Sequence, residues 1–366
     1  HAFYNTKPGL AELSDTNENN PAVLDYFVGA YEQWIDQGAH AFRVDTIPWL
    51  PHAFWKAFAD RIREKRPGFF MFGEAFDYDA EKIAEHTWVI EGAVEDFSRG
   101  NGCNIINTAF IATGDGVVVI NSGPSRLYGE QQRRAIAKVT SEPVRQVLNL
   151  NLHPDYFLGN QAWADRPTMA LPGTLAGMQK EGATYEDNLY RLCGDWMRGT
   201  QATPARETLL PQTLTLGDHV LELRRLSGHT ADDLVVIDRH TGVLFAGGLV
   251  FADRVPTTPH ADPERWLSSL DTLQRWHSQG EFKLVVPSHG PVHNGARGLE
   301  QTRDWLQWLL VVMRENAARG VDLSELLRLD VPTRFAGWAA QPAEFHRSLV
   351  QWYPHEEQRA LDSGRR

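Results

Sequence analysis

The chain has 366 residues, 42% of them hydrophobic, with twelve Trp and seventeen Phe. That is enough length and apolar content for two or three folded domains, and it excludes a largely disordered chain. A net charge of −11 argues against nucleic acid or an anionic membrane as the main partner, because both select a basic surface. No apolar run reaches the roughly eighteen residues of a membrane span, so none is expected.

The first residue is His1, and no charged-then-apolar leader follows it, so no signal peptide is visible. Either a leader was removed or the chain starts inside a longer reading frame. Two cysteines, Cys103 and Cys193, do not make a disulfide framework. They are either one disulfide of an oxidising compartment or two buried thiols.

In chain order, Asn20-Pro-Ala-Val opens a helix that runs to a Gly38 stop. Residues 41–45 read as a short buried strand, 51–65 as a helix ending before Pro67, and 69–74 as another strand. This is βα repetition with polar residues at strand ends, where barrel enzymes place chemistry. From residue 86 the pattern turns strand-rich. Strands are predicted at 87–90, 108–112, 117–121 and 144–149, with a helix over 129–140 and turns at 99–102 and 114–116. A second strand set follows at 220–226, 233–238 and 243–245. A helix over 266–279 and a strand over 283–287 come next, and the chain is mostly helical from Gly298.

Two carboxylates stand about one βα unit apart, Asp45 in Arg43-Val-Asp45 and Glu74 in Gly73-Glu-Ala75. Paired acids at adjacent strand ends are what a retaining glycosidase uses as nucleophile and acid/base. Solvated strand-end acids are the plainer alternative. The stretches Gly9-Leu-Ala-Glu-Leu-Ser-Asp-Thr-Asn-Glu-Asn-Asn20, Trp34-Ile-Asp-Gln-Gly38, Phe42-Arg-Val-Asp45 and Phe72-Gly-Glu-Ala-Phe76 resemble the α-amylase and cyclodextrin glucanotransferase family, over about residues 1–88. The resemblance implies Asp45 as nucleophile, Glu74 as acid/base and Arg43 as the arginine holding the nucleophile. Pro48-Trp49 departs from the Lys-His that many members carry there. A closed barrel needs roughly 250 residues. Residues 1–85 are therefore expected to be a truncated, inactive piece of one.

The remainder carries four motifs in order: Val117-Val-Val-Ile-Asn-Ser-Gly-Pro124, Asn151-Leu-His-Pro-Asp-Tyr-Phe-Leu-Gly-Asn160, Leu226-Ser-Gly-His-Thr-Ala-Asp232 and Val285-Val-Pro-Ser-His-Gly-Pro291. Together they resemble the metallo-β-lactamase superfamily. The implied fold is α/β, an αββα sandwich over residues 86–320 with a helical extension over 321–366. Glu91–Ser98, Gly123–Gly129, Leu158–Ala162, Arg191–Asp195 and Pro256–His260 narrow the likeness to the quinoprotein relay system zinc metallohydrolases. That likeness implies a periplasmic or exported protein and a quinoprotein partner.

The superfamily holds one or two zinc ions through His and Asp, and a metal-bound hydroxide attacks the substrate. His153 and His229 match two ligands of the first site, while Asp155 and His289 match the second, where Asp155 is also the catalytic candidate. Asn151 and Tyr156 stand where His is usual, Gly248 stands where the bridging Asp is usual, and Asn121 replaces a supporting Asp. The expectation is one zinc ion or none. The other histidines, His86, His219 and His240 among them, read as surface or capping residues. His260 is the exception and could point into the pocket.

Three functions follow. The first is a hydrolase-like protein with a reduced metal site, acting on an ester, thioester, lactone or amide as small-molecule substrate. The second is a non-catalytic periplasmic accessory or binding protein of a quinone-linked dehydrogenase. The third is glycoside hydrolysis by Asp45 and Glu74.

Overall fold

Asn20 caps the first helix as its sequence predicts: its side chain accepts from the Ala22 amide at 3.1 Å, and Pro21 takes the first helical position. The computed structural model describes residues 4–5, 15–17, 19–44, 52–73 and 79–363. The chain divides into two units, His1–Tyr78 and Asp79–Arg366.

In the first unit, β1 (Tyr4–Asn5) pairs antiparallel with β2 (Asp15–Thr16), and α1 spans Pro21–Asp36. β3 (Ala41–Val44), α2 (His52–Lys65) and β4 (Phe70–Gly73) follow, and β3 and β4 are parallel neighbours. Val28, Phe58 and Ile62 form a small core. Tyr26, Trp34 and Phe70 remain more than 60% exposed. Within this unit, two parallel strands, each preceded by a helix, are a quarter of the strands of an eight-stranded barrel. Asp45 and Glu74 lie outside the described residues, and Arg43 is an exposed side chain on β3.

The second unit begins at residue 79 because β5 (Glu81–Ala84) hydrogen-bonds to β6 (Thr87–Ile90), so the break precedes the expected one at 85/86. β7 (Thr108–Ala112), β8 (Val117–Ile120), α3 (Arg126–Val139) and β9 (Val144–Leu148) follow. Then come α4 (Pro154–Phe157), β10 (Thr168–Ala170), α5 (Pro172–Cys193) and β11 (Glu207–Thr208). These strands make one sheet in the order β11-β10-β9-β8-β7-β6-β5. β12 (Gln212–Leu216), β13 (His219–Leu226), β14 (Asp233–Asp238), β15 (Val243–Phe245), β16 (Leu284–Val286) and β17 (His293–Asn294) make the second sheet, in that order. α6 (Pro263–Ser278), α7 (Arg297–Ala318), α8 (Leu323–Leu326) and α9 (Ala343–Ser363) complete the chain.

Strand periodicity sorts the core into layers. Val118 and Ile120 meet Leu234 and Val236 between the sheets. Val117 and Val119 face the other way, onto Ile136 of α3. Val235 and Ile237 back onto Trp266, Leu306 and Tyr353 of the helices over the second sheet. With both faces of each sheet covered, the strands read as unbroken apolar runs. The result is the αββα sandwich, and the C-terminal helices are part of its outer core. Cys103 and Cys193 form a disulfide, with Cα atoms 5.9 Å apart, that ties the end of α5 to the loop before β7.

Candidate active site

One rim of the sandwich collects the motif residues. β8 leads to Asn121, β9 to Asn151 and His153, β13 to His229, β15 to Gly248 and β16 to His289. Asn121 takes the left-handed conformation, φ 59°, which Asn tolerates better than most residues. Its side-chain oxygen accepts from the Leu150 amide at 2.9 Å, which sets the course of the next loop. His153 precedes α4, and Asp155 and Tyr156 lie within that single turn.

The structure brings His153, Asp155, His229 and His289 into one buried cluster. The rings of His153 and His229 are 4.6 Å apart, and Asp155 Oδ2 lies 3.3 Å from His289 Nε2. His289 Nδ1 donates to the Ile105 carbonyl at 2.7 Å, which leaves Nε2 as the acceptor facing Asp155. Burial pushes the Asp155 carboxyl up to about 7, against the pull of a backbone hydrogen bond and Arg254. Burial also holds His153, His229 and His289 well below the ordinary imidazole range, and their neighbours reinforce it. At neutral pH the three rings are uncharged.

Each ring meets a protein partner. The Asn151 side-chain amide lies 3.1 Å from His229 Nδ1 and donates to Asp233 Oδ1 at 2.8 Å. Asn151 Oδ1 accepts from the His153 amide at 2.9 Å. Asp233 also accepts from the Thr230 hydroxyl and amide, both at 2.9 Å. His229 Nε2 faces the Thr257 hydroxyl at 3.5 Å, and His153 Nε2 meets His260 Nδ1 at 2.9 Å. A Cβ added at Gly248 would lie 1.7 Å from His229 Nδ1, so the imidazole fills the space beyond that backbone. Tyr156 is fully buried in the core between the sheets, where burial and then Asp155 push its phenol far above its usual range.

Zinc requires three or four donor atoms converging about 2.0–2.2 Å from one point, each with a free lone pair. Among the described residues no group of three or more His, Cys, Asp or Glu is arranged to hold a metal ion. The reason is local: Asn151 faces His229 Nδ1 and His260 faces His153 Nε2. The expected ligands are neighbours, but they do not fit the ion.

Sequence reasoning singled out His260 and missed Asp233 and Thr257. Asp233 had a signal, an acid at the head of the buried run Asp233-Leu-Val-Val-Ile. Thr257 had none.

The fold and this rim define a class before any comparison. The family model for the metallo-beta-lactamase superfamily matches residues 101–289. The chain belongs to that superfamily. The metallo-beta-lactamase from Pontibacter korlensis superposes with a TM-score of 0.51 at 24% identity, over 63% of this chain and 99% of that one. Metallo-beta-lactamase IND-7 gives 0.51 at 21% identity, over 64% and 100%. At such identities the likeness is one of fold. Elsewhere, the cyclomaltodextrin glucanotransferase of Klebsiella oxytoca is 31% identical over 119 residues, 31% of this chain and 18% of that one. The Geobacillus stearothermophilus enzyme of the same name is 37% identical over 101 residues, 28% and 13% of the two chains. The chain thus spans less than a fifth of these two curated relatives.

Proposed function

We propose that the Asp79–Arg366 unit is a hydrolase-like protein that works without zinc at the family's centre, as a binding or accessory protein. One observation carries this reading: His229 is held between Asn151 and Gly248, its Nδ1 facing an amide donor rather than open space. The disulfide supports an exported location, because such bonds persist in oxidising compartments. The motif likeness given above supports a periplasmic quinoprotein as partner. Hydrolysis assays of esters, thioesters, lactones and β-lactams, each with and without added zinc, test the reading. No turnover above buffer is expected. Turnover that His229→Ala abolishes would overturn it.

A second reading, metal-dependent hydrolysis of an ester, thioester, lactone or amide, has one observation in its favour: the four candidate side chains share one buried cluster. It requires His229 to leave Asn151 and His153 to leave His260. Glycoside hydrolysis has only the segmental likeness in its favour.

A further inference from the structure

Within the Asp79–Arg366 unit, a cleft of about 410 Å³ lies between the 259–264 segment and one face of α9. Small-molecule sites typically measure roughly 300–1,000 Å³. His153, Asp155, His229 and His289 do not line it, although Pro259 and Ala261 flank His260 in the chain.

The sequence accounts for both walls. On α9, Gln351, His355 and Arg359 recur every four residues, and Trp352 and Glu356 form the adjacent row of the same helical face. The opposite wall holds Pro259 and Pro263, whose fixed φ stiffens the entry into α6. Asp262 caps that helix, accepting from the Glu264 and Arg265 amides, both at 3.1 Å.

The charges on these walls are matched within the protein. Glu264 accepts from Arg314 at 2.6 Å and from Arg359 at 3.3 Å. Glu356 accepts from Arg359 at 3.1 Å and from Arg314 at 3.4 Å. Two carboxylates and two guanidinium groups thus close a quartet across α6, α7 and α9. Asp262 is engaged by its cap and lies 3.3 Å from Arg265 Nε. The cleft therefore presents no unmatched charge that would select an ion.

Hydrogen bonding beside apolar surface is what it offers a ligand. Gln351 Oε1 accepts from the buried Thr258 hydroxyl at 2.6 Å, which fixes the carboxamide and leaves its NH₂ as the donor for the cleft. The Glu264 and Glu356 carboxylates have lone pairs beyond those the arginines use. His355 adds an exposed imidazole, as its sequence context suggests. His219 departs from that expectation: it is 1% exposed and lies 2.8 Å from Asp238 Oδ2. Trp352, Ala261 and the two prolines supply the apolar surface. Donors and acceptors set beside an indole and two prolyl rings suit a ring with hydroxyls on its edge and C–H bonds on its faces.

We propose that this cleft binds an uncharged polyhydroxylated ring, a monosaccharide or a cyclic polyol, at a site separate from the family's centre. The hydroxyls donate to Glu264 and Glu356 and accept from Gln351 and His355, while a C–H face packs on Trp352 and the prolines. The proposal goes beyond the reading given above and does not depend on what the other site holds.

The probes are glucose, galactose, mannose and myo-inositol, titrated into the full chain and read by saturation-transfer NMR. Glucuronate and protonated glucosamine are the charged analogues. At least one neutral probe is expected to saturate, and both charged analogues to bind more weakly than it does. Gln351→Glu keeps the acceptor for Thr258 but removes the amide donor, and His355→Ala removes an exposed ring. Each is expected to weaken binding roughly fivefold or more, with unchanged circular dichroism. Absence of saturable binding by all four neutral probes, or tighter binding of a charged analogue, would overturn the proposal. Binding insensitive to both variants would also overturn it by assigning the ring to another part of the chain. The readout is binding rather than turnover, so the result is independent of the hydrolysis assays.

Discussion

The side-chain amide of Asn151 bridges His229 Nδ1, at 3.1 Å, and Asp233 Oδ1, at 2.8 Å, across a fully buried gap. An amide therefore stands where the superfamily's pattern has a ligand, and it ties the loop after β9 to the turn between β13 and β14. Removing it leaves buried groups without their donor. Asn151→Ala should cost about 1–3 kcal/mol of stability, the usual penalty for stranding buried polar groups. Urea unfolding monitored by tryptophan fluorescence measures it, and a change near zero would remove the network from the account.

Gly248 tests the same space from the opposite side. Restoring the family's acid as Gly248→Asp places a Cβ 1.7 Å from His229 Nδ1. Overpacking alone should cost about 1–3 kcal/mol. The double change Asn151→His with Gly248→Asp should therefore lower the melting temperature without creating a zinc site, since His153 still meets His260 at 2.9 Å. Calorimetry with and without zinc decides it; a zinc-dependent rise in the double variant would contradict the prediction.

What was legible and what was not follows from distance along the chain. The apolar runs at 117–120 and 233–238 declared buried strands because both sheet faces are covered. The helix Pro172–Cys193 was not read, as its Gly173, Gly177 and Gly182 weaken the helical signal. The fold uses the first two for close approach: a Cβ at Gly173 would meet Asp232 at 2.4 Å, and one at Gly177 would meet Leu152 at 2.8 Å. The motifs named His153, Asp155, His229 and His289, which lie in one buried cluster. Their partners were beyond reach, because Asn151 and Asp233 are 82 residues apart and His153 and His260 are 107 apart. Nothing in local spacing showed that Gly248 leaves a space for the His229 ring.

The disulfide closes a separation of 90 residues. Cross-links over long loops typically contribute about 2–5 kcal/mol. The double variant Cys103→Ser, Cys193→Ser should lose stability in that range. Without reductant the wild type should show no free thiol under denaturing conditions. Two titratable thiols would instead indicate a reduced protein and remove the support for an exported location.

Acid stability should depend on Asp165. Hydrogen bonds from the Arg133 guanidinium, with the burial cost overcome, hold its carboxyl down at about 2, below the ordinary value near 4. A depressed carboxyl contributes stability that is complete above about pH 4 and lost as pH falls through 2. The pair is largely exposed, so screening limits its worth to at most about 1 kcal/mol. Asp165→Asn should narrow the difference in stability between pH 5 and pH 2, and an unchanged slope would show the pair to be silent.

The central claim is that the family's centre in this chain does not take zinc. The direct measurement is zinc content by elemental analysis after dialysis against zinc. Less than about a tenth of an equivalent is predicted, unchanged on adding His229→Ala. About one equivalent, lost when His229→Ala is added, would contradict the account and restore the metal to His153, Asp155, His229 and His289.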